Sequence, residues 1–357
     1  MSLPFLQPYF GLSNSLQTAQ ASAGGGGVGG WVELGRTTLG SAGDTISVAS
    51  LANKRYLMFL CHQTPTGGTT QPRFRAGNST VDSGSNYAER MQRNGAADAT
   101  GVSDNSVYLY DDDATGGFDV GYIANYSTKE KLAYAHHVGQ STAGAGTAPL
   151  RQETAFKHAF TSNQYNILSM NNIYGSGDFA TGSEVVVLGW DPADTHTNNF
   201  WTELYSGDLS AGAAAYIDSG TITAKKYLWV QLYTQQSVDS NFDITFNADT
   251  GSNYTKRWSN EGGADQTNSS VTKIGLVSRT ANLPQFTNMF IINNSANEKL
   301  VIAHQVNQMT AGAGTAPTRT ELVGKWANTA AQITSMRITS GSGNLATKTI
   351  LKVWGSN

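Results

Sequence analysis

Lys131 to Pro149 reads KLAYAHHVGQSTAGAGTAP, and Lys299 to Pro317 reads KLVIAHQVNQMTAGAGTAP. The two stretches agree at 14 of 19 positions at an offset of 168 residues, where background composition would give about one or two matches. A second pair, Asp82 to Asp98 (DSGSNYAERMQRNGAAD) and Asp249 to Asp265 (DTGSNYTKRWSNEGGAD), is identical at 9 of 17 positions at an offset of 167. Shorter echoes keep the same order. Trp31-Val32-Glu33-Leu34 answers to Trp201-Thr202-Glu203-Leu204, Lys54-Arg55-Tyr56-Leu57 to Lys225-Lys226-Tyr227-Leu228, and GSGDFAT from Gly175 to GSGNLAT from Gly341. A repeat of this length is one structural unit used twice. The expected organisation is an arm and glycine hinge over 1–30, one unit over 31–190, a polar linker over 191–200 and a second unit over 201–357.

Within each copy, short runs rich in β-branched and aromatic residues alternate with Gly, Asn, Asp and Ser clusters, and helical periodicity is nearly absent. Copy two offers strands near 213–219, 226–233, 242–247, 271–278, 286–292, 299–306, 332–339 and 347–354. Copy one offers counterparts near 44–50, 55–62, 73–77, 106–111, 118–125, 131–138, 165–170 and 184–190. Eight strands per unit is the jelly-roll number. The expected fold is therefore all-β: two tandem jelly-roll-like antiparallel β-sandwich domains after an extended N-terminal arm. An immunoglobulin-like strand order is the alternative topology. Alternation in Tyr227-Leu228-Trp229-Val230-Gln231-Leu232 puts Leu228, Val230 and Leu232 on a core face and leaves Tyr227 and Trp229 on a second, aromatic face.

Composition supports this reading and removes several functions. Charged residues are only 14% of the 357, and 39 are glycine, a turn-dense profile. The net charge is −3 with no basic stripe, so nucleic acid is not an expected partner. No apolar run approaches the roughly 20 residues that span a bilayer, and no membrane partner is expected. The single cysteine, Cys61, excludes an internal disulfide framework and a cysteine-based zinc site.

Met1 to Val32 contains no charged residue, and it passes from an apolar, proline-broken piece into Gly24-Gly25-Gly26-Gly27-Val28-Gly29-Gly30. A cleaved secretory signal is not expected, because Pro4 and Pro8 interrupt the apolar stretch and no Lys or Arg precedes it. Phe5, Leu6, Tyr9, Phe10 and Leu12 are poor choices for a solvated tail, so they are expected to dock on a partner, with a disordered tail as the alternative.

Residues kept in both copies are the candidates for chemistry, and each has a structural explanation beside a functional one. The T-A-G-A-G-T-A-P block (Thr142 to Pro149, Thr310 to Pro317) is expected to be a turn whose glycines take positive φ, since no nucleotide-binding fingerprint accompanies it. Asp82/Asp249, Asn86/Asn253, Tyr87/Tyr254, Arg90/Arg257 and Asp98/Asp265 suggest a buried arginine held by flanking aspartates to pin a long loop, with calcium as the sharper alternative. His136 and His304 are expected to be core or interface histidines. Gln305 stands where copy one has His137. Asp111-Asp112-Asp113, and Asp191, Asp194 and His196 in the linker, are read as solvated polar clusters. Cys61 and His62 should point to opposite faces of one strand. Trp229, Trp258 and Trp326 are candidate sugar-stacking residues or, more ordinarily, core. No nucleophile elbow or H-E-x-x-H occurs, and a paired-carboxylate glycosidase has no sequence feature behind it. No enzyme is expected, and no catalytic, cofactor-binding or metal-ligating residue is assigned.

The order W-x-E-L, K-[RK]-Y-L, D-x-G-S-N-Y and A-H-x-V with T-A-G-A-G-T-A-P resembles virion structural proteins of marine tailed bacteriophages, cyanophages among them. The resemblance covers about Trp31 to Gly355 in both copies. It implies a non-catalytic, virion-located component, a capsid decoration or a collar or tail appendage, with an arm that docks on other virion proteins. It also implies a symmetric homo-oligomer, a trimer being one form, and contact with the host surface. A carbohydrate-binding, lectin-like module that reads surface glycans is the alternative, and a polysaccharide hydrolase is a third.

Overall fold

The structure is a computed structural model and describes residues 30–110, 114–194, 199–276 and 283–357. The arm residues Phe5, Leu6, Tyr9, Phe10 and Leu12, the Asp111-Asp112-Asp113 cluster and His196 lie outside these. Among the described residues every regular element is a strand, and every strand pairing is antiparallel. The fold is all-β, two jelly-roll-like sandwiches in tandem.

In the first sandwich an eight-stranded sheet runs in the order Val32–Thr38, Glu184–Trp190, Tyr56–Gln63, Gly116–Ala124, Lys131–Gln140, Leu150–His158, Tyr87–Arg93, Ala99–Asp104. A smaller sheet of Thr45–Val48, Ile167–Asn172, Pro72–Asn78, Thr80–Val81 and Val107–Tyr108 covers one face. The second sandwich repeats the large sheet strand for strand: Thr202–Asp208, Ile350–Ser356, Tyr227–Thr234, Gln285–Ile292, Lys299–Asn307, Thr318–Trp326, Tyr254–Asn260, Gln266–Val271. Its smaller sheet is Tyr216–Asp218, Met336–Ser340, Phe242–Phe246 and Ile274–Leu276.

Each of the sixteen expected strand regions contains a strand, but each copy has further ones. Val32–Thr38, Tyr87–Arg93, Ala99–Asp104 and Leu150–His158, with their four counterparts, complete the large sheets. The reason is polarity. Leu150–His158 buries Arg151, Gln152, Thr154 and His158, so it carries no apolar alternation to read, and Ala99–Asp104 is an exposed edge strand.

Alternation in the central strands supplies three cores. Leu57, Phe59 and Cys61 face Phe74, Leu168 and Met170 of the first smaller sheet, and Leu228, Val230 and Leu232 face Phe242, Ile244 and Ile338 of the second. The opposite faces of the two large sheets pack on one another in a third core: Met58, Leu60, Phe118, Val120 and Val138 against Trp201, Tyr227, Phe290, Ile302 and Trp354, with Trp229 at its margin. The aromatic face expected at Tyr227 and Trp229 is this joint. Cys61 lies in the first core while His62 meets Asn294 of the other sandwich at 3.1 Å, so the two side chains take opposite faces.

Candidate functional site

The joint is built from one half of each large sheet. Copy one contributes the ends of its strands near the Thr142–Pro149 turn. Gly144 takes φ +84° there, as Gly312 takes +85° in copy two, and its N–H donates to Glu298 Oε1 at 2.5 Å. Lys325 Nζ donates to the Thr142 carbonyl (2.8 Å), Arg257 Nε to that of Pro149 (2.7 Å), and Ser270 N to that of Ala145 (2.8 Å). Arg151 Nη2 donates to Asp265 Oδ1 at 2.7 Å. Gly95 sits so close that an added Cβ would lie 2.3 Å from the Asp265 amide nitrogen. The glycine-rich turn is therefore structural, and in copy one it is also the joint's contact loop.

Because the halves are copies, each residue of the joint has a twin at the equivalent position; some twins, such as Leu188 and Trp354, are both buried in the joint, while others are uncovered. Phe118 is 1% exposed and Phe286 is 41%; Val138 is 0% and Val306 is 42%. In the other direction Leu300 is 2% exposed and Leu132 59%, and Ile302 is 2% and Tyr134 48%. The ion pair of Lys325 with Glu298 (3.2 Å) is buried, whereas that of Lys157 with Glu130 (3.0 Å) lies in solvent. The joint is thus made once, and the flanks of its two surfaces occur again, uncovered, at Leu132 and Tyr134 on copy one and at Phe286 and Val306 on copy two.

These uncovered surfaces are concave and apolar. On copy one a cleft of about 530 Å³ is lined by Trp31, Tyr56, Tyr122, Tyr134, Ala155 and Trp190. Its rings hold one another: Tyr122 and Tyr134 lie 5.1 Å apart, Tyr56 and Trp190 5.2 Å, and Trp31 stands edge-on to Tyr122 at 6.4 Å. On copy two a groove of about 390 Å³ runs between Tyr233, Phe286, Val306 and the Thr310–Pro317 turn. The outward apolar row Leu132, Tyr134, Val138 was the available sequence signal, since Ala133 and Ala135 already supply the inward row of that strand.

Other candidates fall elsewhere. Asp82 Oδ1 accepts from Gly84 N (2.7 Å), Asp82 Oδ2 from Asn86 Nδ2 (2.8 Å) and meets His158 Nε2 at 2.8 Å, and the carbonyl of Asp82 accepts from the Tyr87 hydroxyl. In copy two Asp249 repeats this with Gly251 and Asn253, and accepts from Trp326 Nε1 at 2.7 Å. Burial opposes the charged form, but these donors hold both carboxyls below their ordinary range. The expectation of a buried arginine between flanking aspartates is corrected in copy one, where Arg90 is exposed and reaches Asp98 at 3.4 Å, because a turn this short closes on its own amides; in copy two Arg257 is partly buried and lies 3.7 Å from Asp265. Asp265 is buried, but chiefly against Arg151 of the other copy. In the linker Asp194 pairs with Lys54, and Asp191 with Arg55 at 3.4 Å. Trp258 and Trp326 are core; the aromatic surface that is exposed lies elsewhere, around Tyr134.

His136 and His304 meet across the joint, ring centroids 4.1 Å apart, with Glu153 beside both. Among the described residues this trio is the one group of histidine and carboxylate side chains placed closely enough to hold a metal ion, its ligand atoms lying within 4.8 Å of one another. Burial, with His304 adding to it, pushes the His136 imidazole down to about 3, so that ring is neutral. Glu153 was not a sequence candidate: it faces His136 through the register of paired strands, which the sequence does not print.

No family model matches the chain, and no curated protein does. Among solved structures it is similar to the LG1–3 region of the laminin α2 chain, with a TM-score of 0.22 and 10% identity over 87% of this chain and 64% of that one. It is likewise similar to domains LG4–5 of the mouse laminin α1 chain, with a TM-score of 0.22 and 10% identity over 93% of this chain and 92% of that one. Likeness of this degree assigns neither family nor function.

Proposed function

We propose that the chain is a non-catalytic assembly protein of a phage particle, which continues to further copies of itself the joint its two sandwiches make with each other. The observation that supports this is the pair of unused twins: Leu132 and Tyr134 on copy one present what Leu300 and Ile302 bury, and Phe286 and Val306 on copy two present what Phe118 and Val138 bury. Exposed apolar patches of this kind mark contact surfaces. A contact between unlike surfaces is heterologous and closes into a ring or runs on as a filament, the geometries of shells and appendages. The arm, with Phe5, Leu6, Tyr9, Phe10 and Leu12, would attach such an assembly to other virion proteins.

The test uses two charge insertions. Wild-type protein at micromolar concentration is expected to give oligomers by native mass spectrometry, and Leu132→Asp and Val306→Asp are each expected to give monomers. Mixing the two variants restores one intact joint per pair and should yield a 1:1 dimer. A monomeric wild type, or variants that assemble unchanged, would remove the assembly reading. A second reading rests on the ring-lined cleft at Trp31, Tyr122 and Tyr134, which has the form of a sugar-stacking platform. A monomeric wild type that binds defined glycans on an array, and loses them in Tyr134→Ala, would favour it.

A further inference from the structure

We propose that His136, Glu153 and His304 bind one zinc ion that fastens the two sandwiches together. Two imidazoles and a carboxylate form a nitrogen–oxygen donor set that suits zinc, whereas calcium and magnesium take oxygen. Zinc–nitrogen distances of about 2.0–2.1 Å in a tetrahedron put ligand atoms about 3.4 Å apart. Here His304 Nε2 lies 3.5 Å and His136 Nδ1 4.0 Å from the same Glu153 oxygen, and all three ligand atoms lie within 4.8 Å of one another, so side-chain rotations that draw them in by up to about 1.4 Å complete the site.

Three further observations point to an ion rather than to a resting contact between side chains. His136 Nδ1 is buried and has no hydrogen-bond partner among the described residues, although it is directed at this carboxylate. An unsatisfied buried nitrogen is destabilising, and coordination would recover that cost. The void between the side chains is small, which suits an ion and no substrate, and the part-exposed His304 leaves a solvent side from which water can supply the fourth ligand. Charge balance also permits a dication. Arg151 reaches Glu153 at 3.1 Å but is met at 2.7 Å by Asp265, and a second carboxylate, Glu321, stands in register with His304 as Glu153 does with His136.

The duplication explains how the site arises. One residue, repeated at the same strand position in each copy, meets its own twin where the sheets cross, so two equivalent histidines make one shared site. Such a site is a fastener whose three protein ligands come from both sandwiches, with the fourth position of the tetrahedron left to a water molecule.

Full-length protein stripped with a chelator, re-equilibrated with Zn²⁺ and desalted should retain one zinc per chain by elemental mass spectrometry, and its thermal midpoint should rise by several degrees. Cobalt in place of zinc should show the visible absorption of a tetrahedral site. His304→Gln, at the more exposed ligand, should stay folded and lose at least about tenfold in zinc affinity. Glu153→Gln should do likewise. Wild-type protein that retains no zinc, or zinc held equally by His304→Gln, would overturn the proposal; the cobalt spectrum judges it even if a variant fails to fold.

Discussion

Glu89 shows how one side chain can set the pH dependence of this fold. It lies buried on Tyr87–Arg93, where Glu89 Oε2 accepts from the Tyr108 amide at 2.6 Å. Burial outweighs that bond and pushes the carboxyl up to about 7 from 4.5. The native state therefore binds this proton more tightly than the unfolded chain. Its contribution to stability is complete below about pH 4.5 and is lost as pH rises through about 7. Glu89→Gln keeps an acceptor for Tyr108 and cannot ionise. It is expected to be more stable than wild type by about 2–3 kcal/mol at pH 8 and no different at pH 4, measured by urea unfolding at both. A difference independent of pH would show that Glu89 acts by packing instead. Nothing in the sequence around Glu89 announces its burial, because the copy-two twin is Lys256, and a position that holds either sign of charge reads as surface.

At the level of strands and turns, the duplication provides an internal control: the same residue pair in two settings. Glu298 and Lys325 lie buried in the joint, where burial lowers the Lys325 ammonium below its ordinary range and Glu298 partly restores it. Glu130 and Lys157, their twins, lie in solvent. Removing one member of a buried pair leaves the other charge uncompensated and costs about 3–5 kcal/mol, whereas an exposed pair contributes about 0–1 kcal/mol. Glu298→Gln should therefore destabilise by about 3 kcal/mol or more and Glu130→Gln by under about 1 kcal/mol, compared by denaturant unfolding. Equal effects would mean that the joint does not exclude water from Lys325. The sequence carries the strands that alternate, such as Tyr227–Thr234, and omits those that do not. Leu150–His158 is invisible to periodicity because its outward face is polar, with Arg151 and Glu153 at the joint and Lys157 in solvent beyond it. Likewise His136 and His304 were legible as a repeated pair, but their meeting depends on how one sheet lies on another, and no local pattern encodes that.

For the whole molecule, the third core decides whether two sandwiches behave as two domains or as one. A tether between independently stable sandwiches would let each unfold at its own temperature. Here Trp201, at the start of the second unit, is buried among residues that face the other sandwich, with Phe200 edge-on at 4.9 Å and Phe290 at 6.1 Å. The backbone N–H of Phe200 also donates to the carbonyl of Trp31 at 2.7 Å, tying the end of the linker to the residue that precedes the first unit's first strand. Unfolding either sandwich would expose this joint on the other, so the two are expected to melt together in a single calorimetric transition. Trp201→Ala removes a large side chain from the joint and little from either sandwich's own core. The substitution should cost about 3–5 kcal/mol, and that loss falls on the coupling between sandwiches, so the single transition should divide into two. A wild type with two transitions would mean the sandwiches are already independent. A Trp201→Ala variant that melts lower but still once would place Trp201 within a sandwich's own stability. The joint's uncovered twins are a different case, because the joint within a chain is assisted by the tether and a contact between chains is not, so the proposed assembly has to be judged at a stated protein concentration.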